Sequence, residues 1–528
     1  MNYIVVGIII AVIWLCVLRA FPNNKSSLSL PPGPPPKPLI RNLLDLPLDN
    51  SPEWLYWFKH KDLYGPISSL GTFGRTMIIL NDYRLAHELL DKKSAINSSR
   101  PPSIFVRMCG WGGLITAAEY SSHLRDTRRV VQQQIGSNQA IFQYNDVQYS
   151  EVARFLLRML NDPGHFVKHI RKEAGAIILK IVYGYTIEPH SGDPLVNLAD
   201  ETLDELSKVV SQGSWLVEAL PILQYVPSWL PGGRFTRYAQ THRKHVTEFS
   251  DHPYAFTKWK MTRGHSEPSF VSNHLSEEHI KPNTEEEHVL KWAAASMYVG
   301  GSETTVSTLT TFILVMALYP QVQRKAQEEI DRVVGTSRLP DFDDRQSLPY
   351  IDALIKEALR WHPIAPMGVP HSAIKDSVCE GYLIPKGATL LTNIWAFTHD
   401  PELYHEPMEF KPERFLSTKD HAPEQDPRLI VFGFGRRACP GRTLADSNIY
   451  LTIAQTLAVY DITKPIRDGK EVDPQPLFGN GVVSHPAPFD VSIKPRSAGH
   501  EELIRALEKR YPWEESHADE LRQAVAEL

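Results

Sequence analysis

Residues 432–442 read Phe-Gly-Phe-Gly-Arg-Arg-Ala-Cys-Pro-Gly-Arg, one cysteine set among glycines and arginines. A thiol so placed has three ordinary uses: half of a disulfide, a catalytic nucleophile, or a metal ligand. The 528-residue chain holds four cysteines, Cys16, Cys109, Cys379 and Cys439, with no C-x-x-C pair. Such sparse use reads as a reducing compartment rather than a disulfide-stapled secreted chain. A nucleophile needs a nearby histidine base and an orienting partner, and neither is signalled around Cys439. Zinc needs companion ligands at fixed spacings, which are also missing.

A lone thiolate suits haem iron, where the porphyrin supplies four nitrogens and the protein only an axial sulfur. The order Phe432, Gly435, Arg437, Cys439, Gly441 fits F-x-x-G-x-R-x-C-x-G without a mismatch. Glycines allow a tight turn whose amide N–H groups point at the sulfur. Arg437 is placed to reach an anionic haem propionate, and Phe432 to pack beside the ligand loop. This stretch resembles the haem-binding loop of the cytochrome P-450 family.

Upstream, Glu357 and Arg360 in "KEALRW" are spaced i, i+3 and share a helix face. "KPERF" then brings Arg414, which sets one carboxylate between two guanidiniums. Followed by the cysteine loop, these resemble the family's Glu-Arg-Arg scaffold, a structural support for the haem pocket. Further upstream, "GGSETT" (300–305) interrupts the longest apolar helical stretch, at a cost of about 1 kcal/mol per glycine relative to alanine. The resemblance makes this the helix over the haem, with Gly301, Glu303 and Thr304 matching its acid-alcohol pair. A groove at the glycines leaves room for dioxygen and water, and Glu303 and Thr304 steer protons. "HLRDTRRVV" (123–131) stands where the family has W-x-x-x-R: Arg128 matches the arginine, but Leu124 takes the tryptophan position. His371 in "MGVPH" is a substitute contact for the propionate.

Around these motifs the chain reads mainly as helix, with apolar i, i+3, i+4 spacing in "SEVARFLLRMLN" from Ser150, in "EEEHVLKWAAASMYVGGSETTVSTLTTFILVMALYP" and in "YPQVQRKAQEEIDRVVG". Short strands are expected at 76–80, 388–393 and 489–493. Tyr3 to Leu18 is uncharged and almost wholly apolar, and Arg19 and Lys25 follow it. This is a membrane anchor with the body on the cytosolic side. The expected layout is an anchor over 1–21, a proline-rich linker over 22–50 ("LPPGPPPKP"), one large monooxygenase domain over 51–496, and a charged, solvated extension over 497–528. A net charge of -5 gives no reason to expect nucleic-acid binding. Arg125, Arg128, Arg129, Arg436 and Arg442 are read as a basic surface for an acidic flavoprotein. "SWLVEALPILQYVPSWLPG" (214–232) is either core or a membrane-dipping substrate entrance. Trp111, Tyr298, Val299, Met367 and Val483 are expected to line an apolar cavity.

Beyond the motifs, "SPEWLYWFKHKDLYGPISSL", "NIWAFTHDPELYHEPMEFKPERFL" and "HEELIRALEKRYPW" resemble the fungal O-methylsterigmatocystin oxidoreductase-like subfamily. The resemblance implies the mainly α P-450 fold with small β-sheets, and heme b held by a cysteine thiolate. It also implies electrons from a membrane-bound NADPH-cytochrome P-450 reductase, O2 as co-substrate, and an endoplasmic reticulum location. The implied activity is oxidation of a hydrophobic fungal secondary metabolite, a polyketide or terpenoid. Two alternatives stay open: a reductase-independent haem-thiolate isomerase or dehydratase, and a non-catalytic haem-binding sensor.

Overall fold

The computed structural model describes residues 28–38, 40–47, 51–72, 75–210, 215–277, 280–419 and 421–528. The expected anchor at 3–18 lies outside the described residues. The helices of eight or more residues are α1 (Glu53–Tyr64), α2 (Ser122–Ile135), α3 (Asn145–Asn161), α4 (Phe166–Tyr183), α5 (Pro194–Val210), α6 (Arg234–Thr262), α7 (Glu285–Leu318), α8 (Pro320–Val333), α9 (Pro349–Trp361), α10 (Arg442–Val459), α11 (Ala498–Arg510) and α12 (Ala518–Ala526).

Local chemistry starts these helices. The Thr284 side chain accepts from Glu287 N, and Glu285, Glu286 and Glu287 sit at the positive end of α7. Pro320 and Pro349 open α8 and α9, where the missing N–H would have had no intrahelical partner. Glu329, buried on α8, accepts from Tyr350 N and Ile351 N and so caps α9.

α7 is also the one described helix long and apolar enough to cross a bilayer, but 78% of its apolar window is buried inside the protein. It runs through two apolar cores. One gathers α2, α4, α5, α6 and the first half of α7; the other gathers α3, α8, α9, α10 and the second half.

The strands form four small sheets. β1 (Ile67–Thr72) and β2 (Arg75–Leu80) form an antiparallel pair; β3 (His371–Ser372) lies at the far edge of the same sheet. β4 (Ser377–Cys379) and β5 (Tyr382–Ile384) pair separately, while β6 (Thr389–Thr392) joins β2 in parallel and β3 antiparallel. β7 (Tyr460–Thr463) pairs with β10 (Ser492–Pro495), and β8 (Ile466–Arg467) with β9 (Lys470–Glu471). The expected strand at 489–493 is thus shifted to 492–495.

Two expectations about the ends are corrected. The proline stretch is packed rather than a free spacer: Ser69 N donates to Pro32 O at 2.8 Å and Ser69 Oγ to Pro31 O at 2.6 Å, and a side chain at Gly33 would collide with Ser69 O. The tail is helical as expected but not solvated. Ile504, Leu507, Leu521 and Ala524 are buried, α11 packs on α3, and α12 packs on α6. Arg154 on α3 donates to Pro512 O at 2.8 Å and to Glu514 at 3.0 Å, which pins the stretch between α11 and α12. The tail's charges lie on the outer faces, and that pattern hid the apolar stripe beneath.

Candidate functional site

The cysteine loop is tied to itself and to the elements below it. Cys439 N donates to Phe432 O at 2.8 Å, closing the loop. Gly435 has φ +51°, and a side chain there would strike Leu90 O. Gly433, which the motif leaves free, has φ +77°. Gly441 is different: its φ is -91°, and an added Cβ would meet Ile135 Cδ1 at an ordinary 3.5 Å. Gly433 and Gly435, rather than Gly441, therefore meet the conformational demand. Burial pushes the Cys439 thiol above its ordinary value; N–H groups of Gly441 and Arg442 at the start of α10, and the charges of Arg128 and Arg442, oppose the shift.

Positive charge collects beside this sulfur. Arg437 is buried and donates to Ser98 O at 2.7 Å, Ile115 O at 2.8 Å and Ala118 O at 2.6 Å. Burial, and then Arg128, pull its pKa down to about 10. Arg128 on α2 donates to Ala438 O at 2.6 Å, so it points into the loop and not outward, correcting its place in the expected basic surface. Arg100, unflagged in the sequence, is buried and donates to Thr116 O, Val369 O and Pro370 O. Burial and the charges of Arg437 and Arg128 lower its pKa strongly. His371 lies beside this group; its Nδ1–H donates to Asn97 O at 2.9 Å, and burial followed by Arg100 keeps the ring neutral. Among the described residues, no carboxylate pairs with Arg100, Arg128 or Arg437 within 4.0 Å. Leu124 is fully buried in the core and offers no polar group here. Exposed Arg125 and Arg436 share the Tyr120 ring, and Arg129 pairs with Asp126.

Glu357, Arg360 and Arg414 come together. Glu357 Oε2 accepts from Arg360 Nε at 2.7 Å; Glu357 Oε1 accepts from Arg360, from Lys411 N at 2.7 Å and from Arg414 Nε at 3.2 Å. All three charged side chains are almost fully buried. Their remaining N–H groups are spent on backbone: Arg360 on Thr398 O, Pro407 O and Glu409 O, Arg414 on His405 O and Glu406 O. Glu424 adds a second carboxylate to Arg414 at 2.8 Å, which balances the two guanidiniums and was not foreseen.

On α7, no atom lies within 4 Å of where a Gly300 side chain would begin, whereas one at Gly301 would meet Ile178 at 2.8 Å. Gly300 thus leaves open space, while Gly301 allows α7 to pack closely on Ile178 of α4. Thr304 Oγ donates to Gly300 O at 2.6 Å, and Ser302 Oγ to Tyr298 O at 2.8 Å. Glu303 Oε2 lies 3.1 Å from His485 Nε2 and 3.9 Å from Arg171. Burial alone would raise this carboxyl, but the His485 hydrogen bond and Arg171 together hold it below its ordinary value. His485 sits in a loop whose Ser484 carbonyl accepts from Ser307 Oγ at 2.6 Å.

Two expected cavity residues are corrected. Trp111 is fully buried, and its Nε1–H donates to His242 Nε2 at 2.8 Å; Tyr298 donates to Leu195 O at 2.8 Å and stacks on Phe249. Both are built into the core. Val299 packs partly buried against that core, and Met367 against the sheet. In the stretch 214–232, Leu216, Ile222, Tyr225 and Trp229 are 71%, 71%, 74% and 76% exposed, so the stretch is mostly outside the core, into which Val217 alone of its described residues is fully buried.

A helical body with small sheets, a buried Glu-Arg-Arg cluster and a cysteine loop flanked by arginines are the features of a haem-thiolate protein. The family model of Cytochrome P450 matches residues 31–493, and the chain belongs to that family. It is 47% identical over 98% of its length to a cytochrome P450 monooxygenase, ppsD, of Aspergillus oryzae, covering 99% of that protein. It is 48% identical over 91% of its length to the monooxygenase claR of Ampulloclitocybe clavipes, covering 89% of that chain. To the O-methylsterigmatocystin oxidoreductase of Aspergillus flavus it is 44% identical over 94%, covering 93%. The chain is a cytochrome P450 monooxygenase, an enzyme whose family uses haem with an axial cysteine thiolate. The residues fit that group: buried Arg100 and Arg437 and half-buried Arg128 lie close together without a carboxylate partner among the described residues, with Arg128 and Arg437 at the cysteine loop, a charge excess that a thiolate and two propionates would balance.

Proposed function

We propose that Cys439 is the axial thiolate, and that this monooxygenase oxidises a hydrophobic fungal secondary metabolite, a polyketide or terpenoid. The observation that carries the assignment is the joint aim of N–H groups from Gly441 and Arg442 and of the Arg128 charge at the Cys439 sulfur. Phe432, Gly435 and Gly441 belong to the loop around it. Arg437, Arg128 and His371 line the propionate edge, joined by Arg100 where Leu124 leaves a donor missing. When bound, the haem activates dioxygen with two externally supplied electrons, so that one oxygen atom enters the substrate.

Glu303 keeps an ionised carboxylate one residue from the Thr304 hydroxyl, and these two groups hold and pass protons at the groove. Glu357, Arg360 and Arg414 fix the backbone that carries the loop and take no part in turnover. The exposed guanidiniums Arg125, Arg129, Arg436 and Arg442 offer an acidic NADPH reductase a docking face. The apolar N-terminal run at 1–21 anchors the enzyme to the endoplasmic reticulum, with the exposed apolar stretch at 216–230 resting on the same membrane. The names of the fungal relatives, one of them an oxidoreductase of O-methylsterigmatocystin, support this substrate class.

Gene deletion in the native host with metabolite profiling is the test: an accumulating apolar precursor, converted by the membrane-bound enzyme with NADPH and reductase, is the expected result. Full conversion without reductase would overturn the reading in favour of an isomerase or dehydratase.

A further inference from the structure

The segment from Ser103 to Ala118 joins the exposed apolar stretch to the cysteine loop. At one end, Ser103 Oγ and Phe105 N donate to Glu218 at 2.7 and 2.8 Å, and the Phe105 ring stacks on Trp215. At the other end, the carbonyls of Ile115 and Ala118 accept from Arg437, two residues before Cys439. A wall anchored at both ends is set by whatever fixes its middle.

At the middle Trp111 packs on Phe249 and Ile115 N donates to Ser296 Oγ at 3.2 Å, and one ring carries the polar tie to α5 and α6. Trp111 sends its indole N–H to His242 Nε2 at 2.8 Å, and His242 Nδ1 is hydrogen-bonded to Glu205 on α5. An indole N–H can only donate, so Nε2 must be the bare nitrogen and Nδ1 must carry the proton given to Glu205. His242 is buried on α6. It thus ties three separate parts of the chain with the two nitrogens of one ring. Glu205, His242 and His245 lie close enough to suggest a metal site, but with both His242 nitrogens committed the arrangement is a hydrogen-bond relay.

We propose that His242 is a positioning residue: it pins the 103–118 wall between the apolar surface and the cysteine loop, and the pin opens on protonation. A doubly protonated ring has no lone pair for Trp111; two N–H groups then face each other in a buried space, and the wall loses its central tie. The charged and titratable neighbours do not replace that bond. Glu205 on α5 and His245 on α6 lie on the Nδ1 side, at 3.4 Å from each other. Tyr238, also on α6, stacks on the His242 ring. Cys109 supplies the titratable group from the wall itself, and burial followed by Glu205 pushes its thiol up to about 12, so it stays neutral. Burial likewise lowers His242, ahead of the opposing pull of Glu205, so the pin is closed at neutral pH and opens on the acid side of the ordinary histidine value.

The route to the cysteine rests on the proposed haem-thiolate reading; the pin is measured without turnover. Hydrogen-exchange protection of the 104–113 segment in the full-length holoenzyme is compared at about pH 7.5 and about pH 5.5 after correction for intrinsic rates. The wild type is expected to lose about tenfold in protection on acidification, the size of one buried hydrogen bond. His242→Gln offers an amide oxygen to Trp111 and an N–H to Glu205 without titrating, and should stay protected at both pH values. Trp111→Phe, which keeps the ring but not the N–H, should be equally weak at both. The same wild-type and Gln behaviour, or a Gln variant already open at neutral pH, overturns the pin. For the route, association of 4-phenylimidazole, read from the Soret shift at neutral pH, should be faster in Trp111→Phe and unchanged in His242→Gln. Equal rates in all three proteins overturn the gating role, while the carbon-monoxide spectrum of the same samples reports separately on the cysteine ligand.

Discussion

Gly435 shows how much one backbone angle decides. With φ +51° and Leu90 O directly behind it, Gly435→Ala must strain the turn and push on a carbonyl at once. A cost of about 2 kcal/mol in denaturant unfolding is expected, against near-neutrality for Gly441→Ala, whose φ and surroundings suit a side chain. Equal effects at the two positions would show that the loop does not need the left-handed turn. The motif made Cys439, Gly435 and Arg437 legible because their spacing is local. Arg100 and His485 were not legible, because each earns its place through partners far along the chain, Arg100 through residues 369 and 370 and His485 through Glu303. A single arginine or histidine without a local pattern carries no signal of such a partner.

Between elements, two buried glutamates make opposite predictions. Glu357 joins α9 to the segment bearing Arg414, and Glu357→Ala leaves two buried guanidiniums short of a partner. Destabilisation by about 4 kcal/mol, with loss of bound haem on purification, is the expected outcome; a folded, haem-loaded variant of wild-type stability would refute the support role. Glu173 on α4 accepts from Asn448 and Thr452 on α10 at 3.1 and 2.8 Å, and burial raises its carboxyl from 4.5 to about 7. Because the folded state binds this proton more tightly than the unfolded chain does, the contribution is present below pH 4.5 and lost as pH rises through about 7. Glu173→Gln should therefore stabilise the enzyme above neutrality, by at most about 3 kcal/mol, and change little in acid. A stabilisation that does not depend on pH would contradict this. The i, i+3 pairing of Glu357 and Arg360 was readable from spacing. The Glu173 contact was not, since nothing in α4 marks which of its polar residues will face inward.

At the scale of the whole molecule, helical dominance and the central helix followed from apolar periodicity, which is strongest in long segments. The ends did not, because short apolar stripes under a charged face look like solvated sequence. Ile504, Leu507 and Leu521 are buried against α3 and α6, so deleting residues 498–528 should lower Tm by on the order of 5 °C; an unchanged Tm would return the tail to the solvent. The thiolate assignment holds the rest together, since the cation cluster, the glycine pair of α7 and the Glu-Arg-Arg cluster take their meaning from the group that Cys439 is proposed to ligate. Its direct test is the spectrum of the reduced carbon-monoxide complex of Cys439→Ala beside the wild type. The wild type should show the red-shifted Soret band of a thiolate-ligated haem and the variant should lack it; a variant that keeps the band would mean that another residue holds the iron.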